Sequence, residues 1–213
     1  MAAAVGSGAN FFIYKNNALV SSPHTLVKQT LLPPIPGSTT PVRISYWVES
    51  SEWAPGKVTQ SMIDGVDAQM SVGGSVPAIF PSVERLTGSV WGPVPASLQP
   101  FLIPGAGGAS APEDFQVLIS NITPDGAPYG ILGYFDGSNN MRASQSAQSN
   151  ERLMITLDSE TLYLDPTSGK QSILSAFAHE MTHAANFYQR GVLHGLSMTS
   201  AAEETLAMMT EDV

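Results

Sequence analysis

The sequence contains no cysteine and little charge, and these absences narrow the classes of protein it can represent. Without cysteine, the chain has no disulfide bridge and no thiolate metal site. Charged residues make up 13% of the chain, and 18 acidic against 9 basic side chains give a formal net charge of −9. Because nucleic acids are bound through basic surfaces, this balance argues against a nucleic-acid partner. No apolar run is long enough to span a membrane, and the first 20 residues lack the pattern of a signal peptide.

The remaining composition is that of a folded, loop-rich protein. The 213 residues are 43% hydrophobic and include 19 glycines and 16 prolines, which fits one domain, or one domain with a short appendage. An acidic chain that lacks cysteine and is rich in serine, glycine and alanine is typical of secreted bacterial proteins. We therefore expect an extracellular location, with the leader not present in this chain.

The chemistry of the sequence is concentrated in residues 172–190, SILSAFAHEMTHAANFYQR. Here His179, Glu180 and His183 form the pattern H-E-x-x-H. Two histidines four residues apart lie one helical turn apart on the same face, so both imidazoles can reach one Zn²⁺ ion. The glutamate between them points beside the metal, where its carboxylate can take a proton from water. The pattern predicts a zinc peptidase with Glu180 as the general base.

The residues around this pattern predict a helix that is buried on most of its circumference. Thr167 and Ser168 are the predicted caps at its start, and Gly191 is the predicted residue just past its end. The apolar positions are Ile173, Leu174, Phe177, Met181, Ala184, Ala185 and Tyr188. Burying two histidines and a glutamate here without a metal would leave polar groups in need of partners. A metal site is therefore favoured over a pair of histidines that only fill the core.

A catalytic zinc ion needs a third protein ligand besides the two histidines. The extended pattern H-E-x-x-H-x-x-G-x-x-H fails, because Asn186 and Gln189 occupy its glycine and final histidine positions. His194 follows the helix but fits no ligand pattern, so we interpret it as a surface residue. A metal or substrate contact by His194 is the alternative interpretation.

The other common third ligand is a glutamate from a following helix, and the segment SAAEETLAMMTED supplies two candidates. Ser200 and Glu203 form a capping box, which predicts a helix start and gives Glu203 a local role at the backbone. Glu204 is the freer carboxylate, 21 residues after His183, with room for one helix to end and a second to return past the metal. Glu204 is the favoured third ligand, and Glu203 is the alternative.

The two stretches AHEMTHAANFYQRG and EETLAMMTED resemble the hyicolysin-type peptidases, a thermolysin-like branch of the zinc peptidases called gluzincins. The resemblance covers residues 152–213. It implies a thermolysin-like N-terminal catalytic subdomain that cleaves peptide bonds within peptide or protein substrates. By resemblance, His179, His183 and Glu204 are the zinc ligands, and Glu180 is the general base.

The sequence departs from the thermolysin pattern at two places. Thermolysin has an aspartate four residues after the ligand glutamate, and Met208 occupies that position here. Glu211 or Asp212 would then support a zinc histidine instead. The chain also stops at Val213, where thermolysin-like enzymes continue into a C-terminal helical subdomain. We therefore expect a chain interrupted at this end, an incomplete, weakly active or inactive form of the enzyme, with the missing segment or chain as a partner.

The segments before the helix predict an α+β fold in two parts. Residues 1–40 read as a small β appendage, with a hairpin turn at Lys15-Asn16-Asn17, followed by a proline-rich linker. Residues 41–213 form the predicted metallopeptidase catalytic domain, in which a mixed, twisted sheet packs on the central zinc helix. Its predicted strands include residues 42–48, 115–122 and 130–135.

Three further expectations concern particular residues. His24, beside Pro23, is predicted to lie at the surface. Residues 152–164, RLMITLDSETLYL, alternate enough to predict one long strand or a hairpin around Asp158. By resemblance, a substrate would pair with the sheet edge within residues 127–135.

Two other classes of function remain open from the sequence. The chain could be a non-catalytic secreted binding or adhesion module that keeps a metallopeptidase fold and its metal. Alternatively, the pattern is accidental, and the chain is a structural domain that binds no stoichiometric metal.

Overall fold

The fold is built on a six-stranded sheet against which helices pack. The computed structural model describes residues 3–34, 40–74, 77–105 and 113–211. The strands are β1 (Gly8–Lys15), β2 (Ala18–Leu32), β3 (Val42–Glu49), β4 (Glu113–Ser120), β5 (Gly133–Phe135) and β6 (Leu153–Asp158). The helices are α1 (Ser50–Trp53), α2 (Gln60–Asp67), α3 (Ile79–Thr87), α4 (Ser159–Leu164), α5 (Gly169–Asn186) and α6 (Ser200–Met208). Short π-helical turns follow α2 at Ala68–Val72 and α5 at Phe187–Val192, and a 3-10 turn spans Gly137–Asn140. The predicted α+β class is confirmed.

The sheet is mixed, with the order β1-β2-β3-β4-β6-β5. Strands β3, β4 and β6 run parallel to one another, whereas β1, β2 and β5 pair antiparallel with their neighbours. The parallel strands are buried almost throughout, as expected for strands covered on both faces. Among the described strands, β5 pairs only with β6, so its other edge is open.

The N-terminal hairpin has the predicted turn. Asn16 and Asn17 adopt φ angles of 48° and 62°, in the left-handed region that asparagine tolerates in tight hairpins. The sheet curls so that β1 reaches the far side: Phe12 N donates to Asn150 Oδ1 at 2.8 Å, and Asn150 Nδ2 donates to Phe12 O at 2.8 Å. Both hairpin strands are therefore continuous with the sheet, while the domain division at residue 40 stays a prediction.

The two faces of the sheet bury separate apolar clusters. On the helical face, Phe177 of α5 packs against Phe80 of α3 and Phe115 of β4, with ring centroids 6.4 and 6.2 Å apart. The curled hairpin encloses a smaller cluster on the opposite face, formed by Phe11, Ile13, Leu26, Trp47, Leu118 and Met154. The larger cluster packs α5, the helix that carries the candidate site, against the parallel strands.

The structure corrects the prediction for residues 152–164. Strand β6 ends at Asp158, and α4 begins at Ser159. The Asp158 carboxylate accepts a hydrogen bond from Thr161 N at 2.7 Å, which caps the helix. The apolar pattern did not reveal α4, because a buried helix of six residues shows no periodicity that distinguishes it from a strand.

The prediction that His24 lies at the surface is wrong. Its side chain is 1% exposed and packs edge-on against Phe11 inside the curled hairpin. Its Nε2 lies 2.7 Å from Ser120 Oγ, and its Nδ1 lies 3.0 Å from Ser22 O. Burial lowers the pKa of His24 to about 4, because the imidazolium loses its hydration.

We predict that His24 makes the fold sensitive to acid. Its pKa is lowered in the folded state, so the neutral form contributes stability above pH 6.5 that is lost as the pH falls towards 4. The full effect is about 3 kcal/mol, at about 1.4 kcal/mol for each pH unit. Urea unfolding between pH 4 and pH 8 would measure it against a His24→Gln variant, which cannot titrate. A stability difference between the two proteins that does not change with pH would contradict the prediction.

Candidate metal and catalytic site

The start of α5 is fixed against α4. The Asp165 carboxylate accepts hydrogen bonds from Thr167 N at 2.9 Å and Ser168 N at 3.0 Å, so the side chain that caps this end belongs to Asp165. Ser168 is the N-cap residue by position but makes no side-chain cap bond. At Gly169, an added Cβ would lie 2.0 Å from Thr161 O, so only glycine lets α5 begin this close to α4. The phase of the helix, and with it the direction of its polar residues, follows from this contact.

The end of α5 differs from the prediction. The chain continues into the π-helical turn Phe187–Val192, so Gly191 lies inside a helical segment instead of just past its end. Phe187 stacks on Trp91 with ring planes 8° apart, and this contact anchors the turn. π-helical turns often occur beside functional sites, and this one begins one helical turn after His183. His194 lies beyond it and is exposed.

The structure brings His179, His183 and Glu204 together. The two Nε2 atoms are 3.1 Å apart, and oxygens of Glu204 lie 3.2 Å from His179 Nε2 and 3.5 Å from His183 Nε2. Two ligands of a tetrahedral zinc ion are separated by about 3.3–3.4 Å, given bonds of about 2.0–2.1 Å, so this donor set fits such an ion. Burial and the neighbouring His179 lower the pKa of His183, which favours the neutral imidazole that binds metals.

The carboxylate that meets the two histidines is that of Glu204, and α6 begins at Ser200 as predicted, although the predicted capping box is wrong. Helix α6 is capped by Thr199, whose Oγ1 accepts from Ala202 N at 3.3 Å, so Ser200 and Glu203 form no capping box. Glu204 is 55% exposed at its side chain and turns towards α5. Within the described residues, the His, Asp and Glu side chains that could together hold a metal ion are His179, His183 and Glu204.

A second carboxylate orients the first histidine. Glu211 Oε1 lies 2.7 Å from His179 Nδ1, and Glu211 Oε2 accepts from Ser175 Oγ at 3.0 Å. With its Nδ1–H donating to Glu211, His179 presents the lone pair of Nε2 to the other two donors. Met208, at the position where thermolysin has an aspartate, is 56% exposed, and Asp212 lies outside the described residues.

Glu180 follows His179 in the helix and contacts the edge strand. Its side chain is buried, and its Oε2 accepts from Phe135 N at 2.8 Å. At Gly133, an added Cβ would lie 2.9 Å from Thr156 O and 3.4 Å from Glu180 Cγ, so glycine is what allows this close approach. Burial is the main cause that raises the pKa of Glu180 to about 7, and the charge of His179 opposes it.

The open edge of β5 faces this glutamate. Leu132 O accepts from Asp158 N at 2.8 Å, which directs the backbone polar groups of Leu132 towards β6. Those of Gly133 and Phe135 then point to the open edge, since direction alternates along an antiparallel strand. The expected substrate edge, residues 127–135, is a strand only over its last three residues.

The support for this edge comes from α4, which the sequence interpretation missed. Glu160 accepts from Gly126 N at 3.0 Å, and Thr161 Oγ1 accepts from Tyr129 N at 2.9 Å, so α4 holds the loop that leads into β5. Tyr129 has a φ of 77°, a conformation that costs energy in a residue other than glycine. The available signal was Asp158 before Ser-Glu, a helix cap followed by an acidic first turn.

Two histidines and an exposed carboxylate around one point, with a buried glutamate beside them, are an arrangement that metal-dependent hydrolases use. The family model for Peptidase M30 matches residues 24–213, and the chain belongs to this family. Peptidases of this family are metallopeptidases, so membership implies peptidase activity on protein or peptide substrates. No curated protein matches the chain.

We predict that Glu211→Gln weakens metal binding without removing a ligand. The amide can still accept a hydrogen bond from His179, but it loses the charge that makes the imidazole more basic. The affinity for Co²⁺, a spectroscopic probe of the site, should fall about tenfold in a competition titration with a chelator. Glu203→Gln is the matched control. It removes the same charge nearby, but Glu203 does not make the contact with a histidine Nδ1 that Glu211 makes. Equal affinities for the two variants would contradict the assignment.

Proposed function

We propose that the protein is a zinc-dependent endopeptidase of the hyicolysin type. In this proposal His179, His183 and Glu204 hold Zn²⁺, and Glu180 is the general base. The observation that carries it is the convergence of the three donor atoms within 4.8 Å of one another, beside a buried glutamate that contacts an open strand edge.

The donor set supports zinc in particular. Zinc prefers imidazole nitrogen and carboxylate oxygen, and catalytic sites keep three protein ligands with one open position. The contact between His179 Nδ1 and Glu211 is the outer hydrogen bond that zinc histidines commonly make. When bound, zinc supplies a Lewis acid that polarises the substrate carbonyl and lowers the pKa of water.

The remaining steps fall to residues of the chain. The Glu180 carboxylate takes the proton of the attacking water and delivers it to the leaving amine nitrogen. Its contact with Phe135 N uses Oε2 and fixes the carboxylate, so Oε1 is assigned the proton. A group that must accept and then donate a proton near neutral pH works best with a pKa near that pH, and burial shifts the pKa of Glu180 in that direction.

The substrate is proposed to lie along β5. Its open edge carries the N–H and carbonyl of Gly133 and the carbonyl of Phe135, which can pair with an extended peptide by β-augmentation. Such pairing would hold the scissile bond beside Glu180, because Phe135 N already contacts that carboxylate. A mixed sheet with an antiparallel edge strand against the ligand-bearing helix supports the proposed likeness to a thermolysin-like catalytic subdomain.

The proposed location is extracellular, on the basis of composition. Among the helices of the described residues, none is long and apolar enough to cross a membrane.

The proposed zinc site predicts different zinc affinities when each of two neighbouring glutamates is replaced by alanine. Wild type should retain one zinc ion per chain after dialysis, measured by elemental analysis. Glu204→Ala should lower the zinc affinity by more than about 100-fold, because it removes a ligand. Glu203→Ala, on the same helix and with the same loss of charge, should keep the ion. Absence of zinc from the wild type, together with no affinity for added zinc, would favour the structural-domain interpretation.

Glu180→Gln should separate metal binding from catalysis. The amide keeps the shape and the contact with Phe135 N but cannot take a proton, so turnover of a fluorogenic peptide should fall by about 100- to 10,000-fold. Zinc content should remain one per chain. A variant that cleaves as fast as wild type would refute the role of Glu180. A wild type that binds zinc and cleaves no peptide would instead favour the binding-module alternative.

A further inference from the structure

A cavity of about 620 Å³ opens beside β5, the strand whose Phe135 N donates to the candidate catalytic glutamate. Its described lining residues come from the hairpin tip, from the end of β4 and from β5 with its flanks. They are Tyr14, Asn16, Asn17, Ile122, Thr123, Gly130, Ile131, Tyr134, Phe135 and Asp136. Phe135 both lines the cavity and donates its amide hydrogen to Glu180, so this residue of β5 links the cavity to the candidate catalytic glutamate.

The N-terminal hairpin forms the far wall, and its position is fixed. Tyr14 N donates to Tyr134 OH at 2.8 Å, and the two rings meet edge to face with centroids 5.9 Å apart. Asn16 N donates to Ile122 O at 3.1 Å. These contacts hold the tip of the hairpin against β5 and the end of β4, so this wall of the cavity is preformed.

The walls are largely apolar and carry one negative charge. The side chains of Tyr14 and Ile131 are 41% and 46% exposed, so apolar surface is available to a ligand. Among the described lining residues, Asp136 is the charged one. The nearby Lys15 does not offset it, because Lys15 Nζ pairs with Glu49 at 2.7 Å.

The position of the Asp136 carboxylate is also fixed. Its Oδ1 accepts from Ser138 N at 2.9 Å, which caps the turn that follows β5. Burial is the main cause that raises the pKa of Tyr134, and the negative charge of Asp136 adds to it. The cavity therefore combines aromatic walls with a fixed anion.

We propose that this cavity is a substrate subsite for a lysine or arginine side chain close to the scissile bond, an inference that rests on the proposed peptidase function. The long aliphatic stem of such a side chain would lie against Ile131 and the tyrosine rings, while its cation meets Asp136. Tyrosine faces add cation–π attraction. An acidic side chain at the same position would meet Asp136 with like charge, so it would be rejected.

The experiment measures peptide binding instead of turnover. Fluorescent extended peptides carry one lysine, moved through the positions on either side of a central bond, and each is matched by a norleucine peptide that lacks only the charge. Binding to the zinc-loaded Glu180→Gln protein is followed by fluorescence anisotropy. At one position, the lysine peptide should bind about five- to tenfold more tightly than its norleucine match. The preference should shrink as salt rises, since the ion pair is partly exposed.

The control variants are Asp136→Asn and Asp125→Asn, made in the same Glu180→Gln background. Both aspartates accept a hydrogen bond from the amide two residues later, both asparagines can keep it, and Asp125 is not among the described lining residues. Asp136→Asn should reduce the preference for lysine to about twofold or less, and Asp125→Asn should leave it unchanged.

Each outcome decides the proposal. Equal binding of lysine and norleucine peptides at every position overturns it, as does a preference that survives Asp136→Asn or that Asp125→Asn removes equally. Turnover of the same peptides by zinc-loaded wild type is measured separately. Absence of turnover would contradict the peptidase function, whereas the anisotropy comparison would still decide whether the cavity selects a cation.

Discussion

Polar groups on a buried helix must find partners, and the geometry of the site follows from where α5 finds them. Glu180 faces β5 and takes the amide of Phe135, while His179 faces the end of α6 and takes Glu211. Thr182, on the same turn, lies 2.7 Å from Thr210 Oγ1 and bonds the carbonyl of its own helix. One turn of helix therefore holds both the edge strand and the final helix in place. Loss of these contacts would leave unpaired polar groups in the interior, which costs more than the bonds themselves contribute.

This arrangement explains which parts of the site could be predicted from the sequence. The spacing of His179 and His183 is a local property of a helix, so it needs no knowledge of the fold. Glu204 could be favoured because chain length limits which carboxylates can return to the metal. The predicted capping box does not explain why Glu204 and not Glu203 meets the histidines, because Thr199 caps the helix in place of Ser200.

The remaining features depend on contacts between segments far apart in the chain. His24 is buried only because the sheet curls and encloses it, and nothing beside Pro23 indicates that. The bond between Asn150 and Phe12 joins residues 138 positions apart. Likewise, β6 and α4 could not be separated by periodicity, because both are short and buried. The mixed sheet and the central helix were predictable, whereas the curl of the sheet was not.

The charges around α5 indicate why a cation would stabilise the candidate site. Glu204 and Glu211 both approach His179, at 3.2 and 2.7 Å, and Glu180 lies next to it in the chain. Without a metal, these acidic groups repel one another around two imidazoles, one of which has its positive form disfavoured by burial. A divalent cation would convert that repulsion into attraction for all three carboxylates. The mutual repulsion of the carboxylates around His179 is thus the same feature that would favour a bound cation.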